Sequence, residues 1–549
     1  MQKNKNITNA HILIIGTVLI TLVATPFINK DSLIIPKLFI LFPLVLFLIP
    51  NLILQIRHEF NKKSILLLIL LFLIHLCIIV VVSDAPLEQQ IFGRTGRGLG
   101  LITWISYLSV ILASAYFIEK AHLNLLLSGL FISGTFVSIY AIFQSFGLDF
   151  FPWDSKTNGV ISTLGNPNFV SSFISFSFLP SLVYVARKKN YRKFLILISI
   201  LFVFTIYRAE SLQGYIGLLF SVLLFAIIYS YFKSRFLAFL SFCFSIVCAV
   251  FFVLGSLNIG PLAQYIYKIS VQSRGDFWRS AVNLSGDFPW FGTGLDSFGD
   301  YYLLYRDEIA VSHPWAEYTD SAHNYFLDYL VIGGYPFLVL NVALVFLTLK
   351  CFMRLILKAD NFDGFYVALF TAYSTFLLQA LVSPISIPIF IWSAMISGVC
   401  VGLSSKAELS EKIKSHTHSP KSTLKFQIIS KFLALFGVLI LLPLFNADRL
   451  QFAGMRAGNA EVLIASAEQY PRSVSRYSTI TRLLLSSGLN TQALSLARSA
   501  VKFNPNSPAL WVLIMVNPIA AESERLNAKQ KMLSLDPLNQ AVIGYDVSS

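Results

Sequence analysis

The stretch from Ile65 to Val82 reads ILLLILLFLIHLCIIVVV, with no charged residue and a single histidine in its length. In lipid such a run satisfies its backbone polar groups only as a helix, because about 20 apolar residues rising 1.5 Å each cross a hydrocarbon core about 30 Å thick. A barrel strand would need about 10 residues of strict alternation, and this run does not alternate. Runs of the same kind predict spans near residues 11–28, 33–54, 64–82, 99–118, 122–146, 164–186, 194–207, 211–232, 236–257, 322–348, 362–382, 385–404 and 426–446.

Composition agrees with that reading. Of 549 residues, 56% are hydrophobic, 14% aromatic and 13% charged, and the mean hydropathy is +0.69. Soluble domains carry about 25% charge, so an ordinary cytosolic enzyme, a disordered chain and a collagen-like chain are all excluded. The expected fold class is all-α, a polytopic membrane helix bundle of about 12 core spans plus one, with a small α-helical repeat domain at the C-terminus. The five cysteines, Cys77, Cys243, Cys248, Cys351 and Cys400, are irregularly spaced in or beside apolar runs and frame neither a disulfide scaffold nor a zinc site. The first stretch starts like a signal peptide, but it is long, lacks a small-residue cleavage site and leads straight into another span, so it is expected to stay as the first helix.

Lysine and arginine give the topology, since basic connections stay on the cytoplasmic side. With the N-terminus cytoplasmic, the connections Arg57 to Lys63, Glu119 to His122, Arg187 to Lys193, Lys233 to Arg235, Lys350 to Lys358 and Lys406 to Lys425 all fall inside. Together with Lys3, Lys5 and Lys431 they hold 22 of the 42 lysines and arginines, so the +14 formal charge is mostly a topology signal. Nucleic-acid binding, the other common reading of a pI near 9.4, needs a concentrated soluble basic patch that this chain lacks. The expected layout is a transmembrane core over residues 1–404 with a large extracytoplasmic loop at 258–321, a cytoplasmic linker at 405–425, a last span at 426–446 and an extracytoplasmic domain at 447–549. His416 and His418 in the linker read as solvated residues.

The last domain carries a repeat signal. Tyr470-Pro471, Asn504-Pro505 and Asp536-Pro537 punctuate helical stretches at proline spacings of 34 and 32 residues, and Ala493, Leu496, Ala497, Ala500, Val501 and Phe503 lead into Asn504-Pro505 and Trp511. About two degenerate tetratricopeptide-like repeats fit, with a plain helical bundle as the alternative.

Four segments at the outer ends of spans concentrate chemistry. Phe92 to Gly100 places Arg94 and Arg97 among glycines, where the backbone can approach a ligand and a guanidinium can grip a phosphate; a loop touching lipid headgroups is the alternative. Ser162 to Phe169 opens a span with Asn166 as cap, Pro167 in the first turn and Asn168 as a candidate contact. Arg208 to Gly214 forms a hairpin whose Arg208 can hold a phosphate, pair with Glu210 or reach the interface. The large loop holds Arg274, Arg279, the Pro289 to Gly294 turn and then Asp320 to Asp328, with His323 where the chain re-enters the membrane. A neutral histidine there can accept a proton from a hydroxyl, although an isolated interface histidine is the commoner case.

In this order the four segments resemble the O-antigen ligase and polymerase superfamily, polytopic bacterial proteins that transfer glycans from a polyprenyl diphosphate carrier. The resemblance covers roughly residues 90 to 400. It rests on the Gly93 to Gly100 segment, Gly165-Asn166-Pro167-Asn168-Phe169, the Arg274 to Trp278 stretch with Pro289, Gly292 and Gly294, and Ala322-His323-Asn324 running into Gly333-Gly334. Members with a tetratricopeptide-like extension occur, which agrees with the tail. The resemblance implies a glycosyltransferase core that needs no metal and no cofactor and inverts the anomeric centre. It implies His323 as base and Arg274 as the large-loop arginine, with Arg97, Arg208, Arg94, Arg279, Asn168 and Asn324 as substrate-binding candidates. Asp320 or Glu317 is expected to orient His323. One departure stands out: where many members show Ser-Arg-Gly, this chain reads Ser211-Leu212-Gln213-Gly214, and Arg208 is the candidate replacement cation.

The partners so implied are a polyprenyl (undecaprenyl) diphosphate-linked glycan donor, an acceptor that is lipid, glycan or protein, membrane lipids, and a protein partner for the repeats, with no nucleic acid. The location so implied is the bacterial cytoplasmic membrane. Ligase, repeat-unit polymerase and protein oligosaccharyltransferase remain open at this point. A non-catalytic lipid or polysaccharide transporter is the other class, against which stand the lack of inverted repeats of broken helices and of a nucleotide-binding loop.

Overall fold

The structure is a computed structural model, and it describes residues 8–58, 62–151, 153, 159–187, 192–267, 269–313, 318–412 and 424–547. Among the described residues every regular element is helical. In chain order they are α1 (Asn9–Leu22), α2 (Ile34–His58), α3 (Lys63–Val82), α4 (Leu87–Phe92), α5 (Leu101–Phe117), α6 (Leu123–Ser145), α7 (Pro167–Ala186), α8 (Arg192–Arg208), α9 (Leu212–Lys233) and α10 (Arg235–Ser256). The large loop adds α11 (Ala263–Ile266), α12 (Ile269–Asp287), α13 (Phe298–Tyr305) and α14 (Glu308–Ser312), and the bundle resumes with α15 (Tyr325–Leu357), α16 (Gly364–Ala380), α17 (Ile387–Lys412) and α18 (Leu424–Ala457). The tail contains α19 (Ala460–Glu468), α20 (Val474–Ser486), α21 (Asn490–Phe503), α22 (Pro508–Met515), α23 (Glu522–Leu535) and α24 (Gln540–Ile543).

A helix lies over each of the thirteen expected spans, and among the described residues nine helices are long and apolar enough to cross a membrane. At the centre α5 packs against α17. Gly398 and Gly402 of α17 sit against the backbone of Ile111 and Ala115, a spacing that no larger residue would allow. Trp104 and Trp392 are fully buried there, and Tyr107 stacks on Phe390 with ring centroids 3.8 Å apart. By contrast, α10 exposes apolar side chains nearly all round, the surface of a helix solvated by lipid tails.

The basic connections gather at one end of the bundle. Lys406 reaches Glu119 at 2.6 Å, Lys120 reaches Asp363 at 3.6 Å, and Arg187 covers the Phe365 ring. The large loop, the Gly93 to Gly100 segment and the tail meet at the other end, where Thr95 bonds Ser473, Arg472 pairs with Glu88 and Arg306 pairs with Asp536. The tail has its own apolar core, around Tyr477, Ala497 and Leu510.

Three expected spans differ in detail. The first helix stops at Leu22 rather than residue 28, because Pro26 supplies no backbone donor, and residues 23–33 form a connection. The last span continues as one helix to Ala457, past the expected boundary at 446, so the tail is joined to the core by a helix about 50 Å long. The span at 322–348 begins later and is broken, since Gly333 and Gly334 leave helical geometry inside α15, Gly334 with φ 71°. The Pro289 to Gly294 turn docks into that break: Tyr335 donates its N–H to the Pro289 carbonyl at 2.8 Å and Thr293 donates to Val331 at 2.8 Å. A Cβ at Gly334 or Gly292 would strike the opposing backbone, so these glycines exist for the close approach.

Candidate active site

His323 occupies a tight turn ahead of α15 with a left-handed φ of 51°, uncommon for a residue with a side chain. Asp328, one turn into α15, holds that turn. Its carboxylate sits 3.0 and 2.9 Å from the Ser321 hydroxyl and accepts the Ala322 N–H at 2.9 Å, while Ser321 Oγ accepts the His323 N–H at 3.0 Å. Asn324 caps α15 by accepting the N–H groups of Phe326 and Leu327, and its amide donates to the Leu381 carbonyl.

The imidazole is oriented by Ser321 and Thr319. Its Nδ1 lies 3.2 Å from the Ser321 carbonyl and 3.4 Å from the Thr319 hydroxyl, which assigns the proton to Nδ1 and leaves the Nε2 lone pair free. Phe277 packs beside the ring at 5.3 Å. Burial pushes the His323 pKa down to about 4; the Ser321 carbonyl and Asp320 oppose the shift, and the Arg274 and Arg97 cations add to it. At neutral pH the ring is therefore uncharged and able to accept a proton. The expected orienting role of Asp320 is not what the structure has, since its carboxylate is bound to Arg97; Glu317 lies outside the described residues.

His323 lines a cavity of about 860 Å³ at the end of the bundle opposite the basic connections. Arg274 of α12, Asn166 and Asn168 at the start of α7, Ser211 and Gln213 at the start of α9, and Gln379 and Ser383 at the end of α16 share it. Arg274 makes no ion pair with any described carboxylate, its Nε is buried without a partner, and burial pulls its pKa below the usual range. Such a guanidinium stays protonated at neutral pH and, among the described residues, has no counter-anion. Trp278, one helical turn further on, also lines the cavity with its indole N–H unpartnered. Asn166 caps α7 by accepting the Asn168 N–H at 2.8 Å, so the positive end of that helix adjoins the same space. Asn168 accepts the Ser211 hydroxyl at 2.6 Å.

The other arginines expected at the site do different work. Arg97 is buried between Asp296 and Asp320, each at 3.0 Å. Burial alone would lower its pKa, but the two carboxylates outweigh it and raise it. Arg94 pairs with Asp300 at 3.3 Å, and its backbone N–H goes to Asp296 at 2.7 Å. This segment is thus a clamp that ties the loop ahead of α5 to the large loop, and neither arginine lines the cavity. Arg279 spends its guanidinium on Asp307 and Asp276. Arg208 points away from the cavity, donating to the Ser145 carbonyl at 2.5 Å beside Phe146. It does not line the cavity; of the hairpin, Glu210, Ser211, Leu212 and Gln213 do.

Sequence reasoning missed Gln213, Gln379, Ser383 and Trp278. The signal for Gln379 was present, because a glutamine inside an apolar span is costly unless it faces a cavity or partner. Among the described residues no group of three or more His, Cys, Asp or Glu side chains is placed to hold a metal ion.

The fold is that of a polytopic helical bundle with helices apolar enough to cross a membrane, and the cavity at one end of it brings Arg274 and His323 together. Residues 195–342 match the family model described as O-Antigen ligase. The match runs from α8 into α15 and so includes Arg274 and His323. Such a domain supports glycan transfer of the ligase or polymerase type in general. No curated protein matches the chain.

Proposed function

We propose that the protein transfers a glycan from a polyprenyl diphosphate carrier to an acceptor hydroxyl, in the manner of an O-antigen ligase, at the outer face of a bacterial cytoplasmic membrane. The observation that carries this reading is the meeting, in one cavity, of a neutral His323 and an Arg274 that no described carboxylate pairs. A carrier diphosphate supplies the anion that Arg274 lacks, and the N-terminus of α7 adds to its hold. The acceptor oxygen attacks the anomeric carbon, the bond from that carbon to the phosphate oxygen breaks, and the acceptor proton passes to His323 Nε2. Polyprenyl diphosphate leaves with the electron pair. Attack opposite the leaving group inverts the centre. As negative charge grows on the departing oxygen, the Arg274 contact strengthens; a charge-assisted bond of that kind is worth about 1.5–3 kcal/mol.

In this reading the end of the bundle holding the cavity, the large loop and the tail faces outward, and the basic end faces the cytoplasm. The paired helices of the tail serve as tetratricopeptide-like repeats that hold a partner or stabilise the large loop. Substituting His323→Ala or Arg274→Ala in cells tests the function: glycan transfer slows about tenfold or more while membrane abundance stays unchanged, and lipid-linked glycan accumulates on mass spectrometry. Long unattached chains identify a ligase, and single repeat units identify a polymerase. Transfer at the wild-type rate in both variants overturns the reading.

A further inference from the structure

Where α9 and α16 line the cavity, two amides each carry an unsatisfied atom, with the Glu210 side chain just ahead of α9 on the same lining. Gln213 of α9 and Gln379 of α16 are 7% and 5% exposed, yet both line the cavity. The Gln213 side-chain nitrogen bonds Ser383 Oγ, and that of Gln379 bonds Ser175 Oγ at 2.6 Å. The remaining oxygen of each, Gln213 Oε1 and Gln379 Oε1, is buried with no partner. Turning either amide over exchanges the unpaired oxygen for an unpaired NH2, so one polar atom stays unsatisfied in both orientations. A buried group left this way costs about 1–3 kcal/mol, and here two of them belong to side chains that line one cavity, where an incoming group can satisfy them.

The surroundings keep these amides in place. Gly217 of α9 lies against the Gln379 amide nitrogen, where any side chain would collide with it. The terminal torsion of glutamine is broad, so a small rotation brings each unpaired atom to an incoming group. Among the described residues that line the cavity the one lysine or arginine is Arg274, on α12.

We propose that Gln213 and Gln379 read the sugar next to the carrier diphosphate, accepting its hydroxyl protons, or an acetamido N–H, while Arg274 holds the diphosphate. Phosphate oxygens only accept hydrogen bonds, whereas sugar hydroxyls both donate and accept and so match an amide in either orientation. The inference rests on the proposed function and adds the residues that set donor-sugar preference.

The test uses the full chain in detergent or nanodiscs and two kinds of probe. One is undecaprenyl diphosphate; the other is undecaprenyl diphosphate carrying one glucose, galactose or N-acetylglucosamine. Wild type is expected to bind at least one sugar-bearing probe more tightly than the bare carrier. Gln213→Met and Gln379→Met, which keep volume but lose hydrogen bonding, should each reduce that preference about tenfold and leave bare-carrier affinity unchanged. Unchanged bare-carrier affinity also shows that the variants are folded. The inference is overturned if wild type prefers no sugar-bearing probe, if the preference survives both substitutions, or if bare-carrier binding falls equally. Arg274→Ala should weaken every probe; if it weakens none, the proposed function itself fails, whatever the glutamines do.

Discussion

Asp328 and Ser321, seven residues apart, lock the turn that presents His323: the hydroxyl lies 3.0 and 2.9 Å from the two carboxylate oxygens. The turn needs such a lock because His323 sits at φ 51°, a conformation that costs of order 1–3 kcal/mol. Asp328→Ala is therefore expected to lower kcat strongly with little change in KM for the donor, since it displaces the base without touching the cation. Ser321→Ala should act in the same direction more weakly. Steady-state kinetics with purified protein check both; a rise in KM alone would contradict the positioning role.

His323 also sets a pH dependence. With His323 as the proposed base the neutral ring is the active form, so activity is expected to be kept above its pKa and lost as pH falls through it; with the pKa pushed down to about 4, kcat/KM should hold to about pH 5. Bound diphosphate cancels part of the Arg274 charge that depresses the ring, so the acid limb of kcat should lie at higher pH than that of kcat/KM. His323→Gln should lose about 10²–10⁴ of the rate at every pH. Coincident limbs would remove Arg274 from the vicinity of the bound diphosphate.

Arg274 and Arg208 should behave oppositely. Arg274→Ala is expected to reduce kcat/KM about tenfold to a hundredfold, the value of one charge-assisted contact, with partial recovery in Arg274→Lys. Arg208→Ala should leave donor kinetics nearly unchanged, because its guanidinium is engaged by the Ser145 carbonyl. Parallel transfer assays on the two variants distinguish them.

Arg97 and Asp296 are a buried pair, 11% and 1% exposed. Arg97→Met leaves Asp296 charged and uncompensated, at a cost of about 3–5 kcal/mol, so thermal stability in detergent should fall. Adding Asp296→Asn should recover part of the loss. A single variant as stable as wild type would mean that the clamp does not hold the loops together.

The tail should release when its buried anchor is cut. Arg306 and Asp536 lie 2.7 Å apart at 10% and 1% exposure, so Arg306→Met strands a buried carboxylate. Limited proteolysis should then cleave after α18 faster than in wild type.

Much of this architecture was legible in the sequence, because a bilayer demands helices and admits few charges. Each expected apolar run holds a helix, and the basic connections share one end. His323 and Arg274 were identifiable as polar groups at span ends, and Asn166 as a cap. What misled was the assumption that every outward arginine faces substrate. Arg94 and Arg97 are matched by Asp300, Asp296 and Asp320, about 200 residues further along the chain, and no local pattern announces such partners. The Pro289 to Gly294 turn likewise reads as a substrate loop until the break at Gly333-Gly334 supplies its docking surface.

Hydrophobic run length alone led to the all-helical bundle, since it follows from the solvation energy of individual groups in lipid or water. Tertiary structure alone decided which cations are neutralised, which histidine nitrogen is free, and that two span-buried glutamines share a cavity with Arg274. The first and last of these depend on distances between segments far apart in the chain and the histidine on the folded turn from Thr319 to His323, and a charge becomes a binding group only when packing leaves it without a partner.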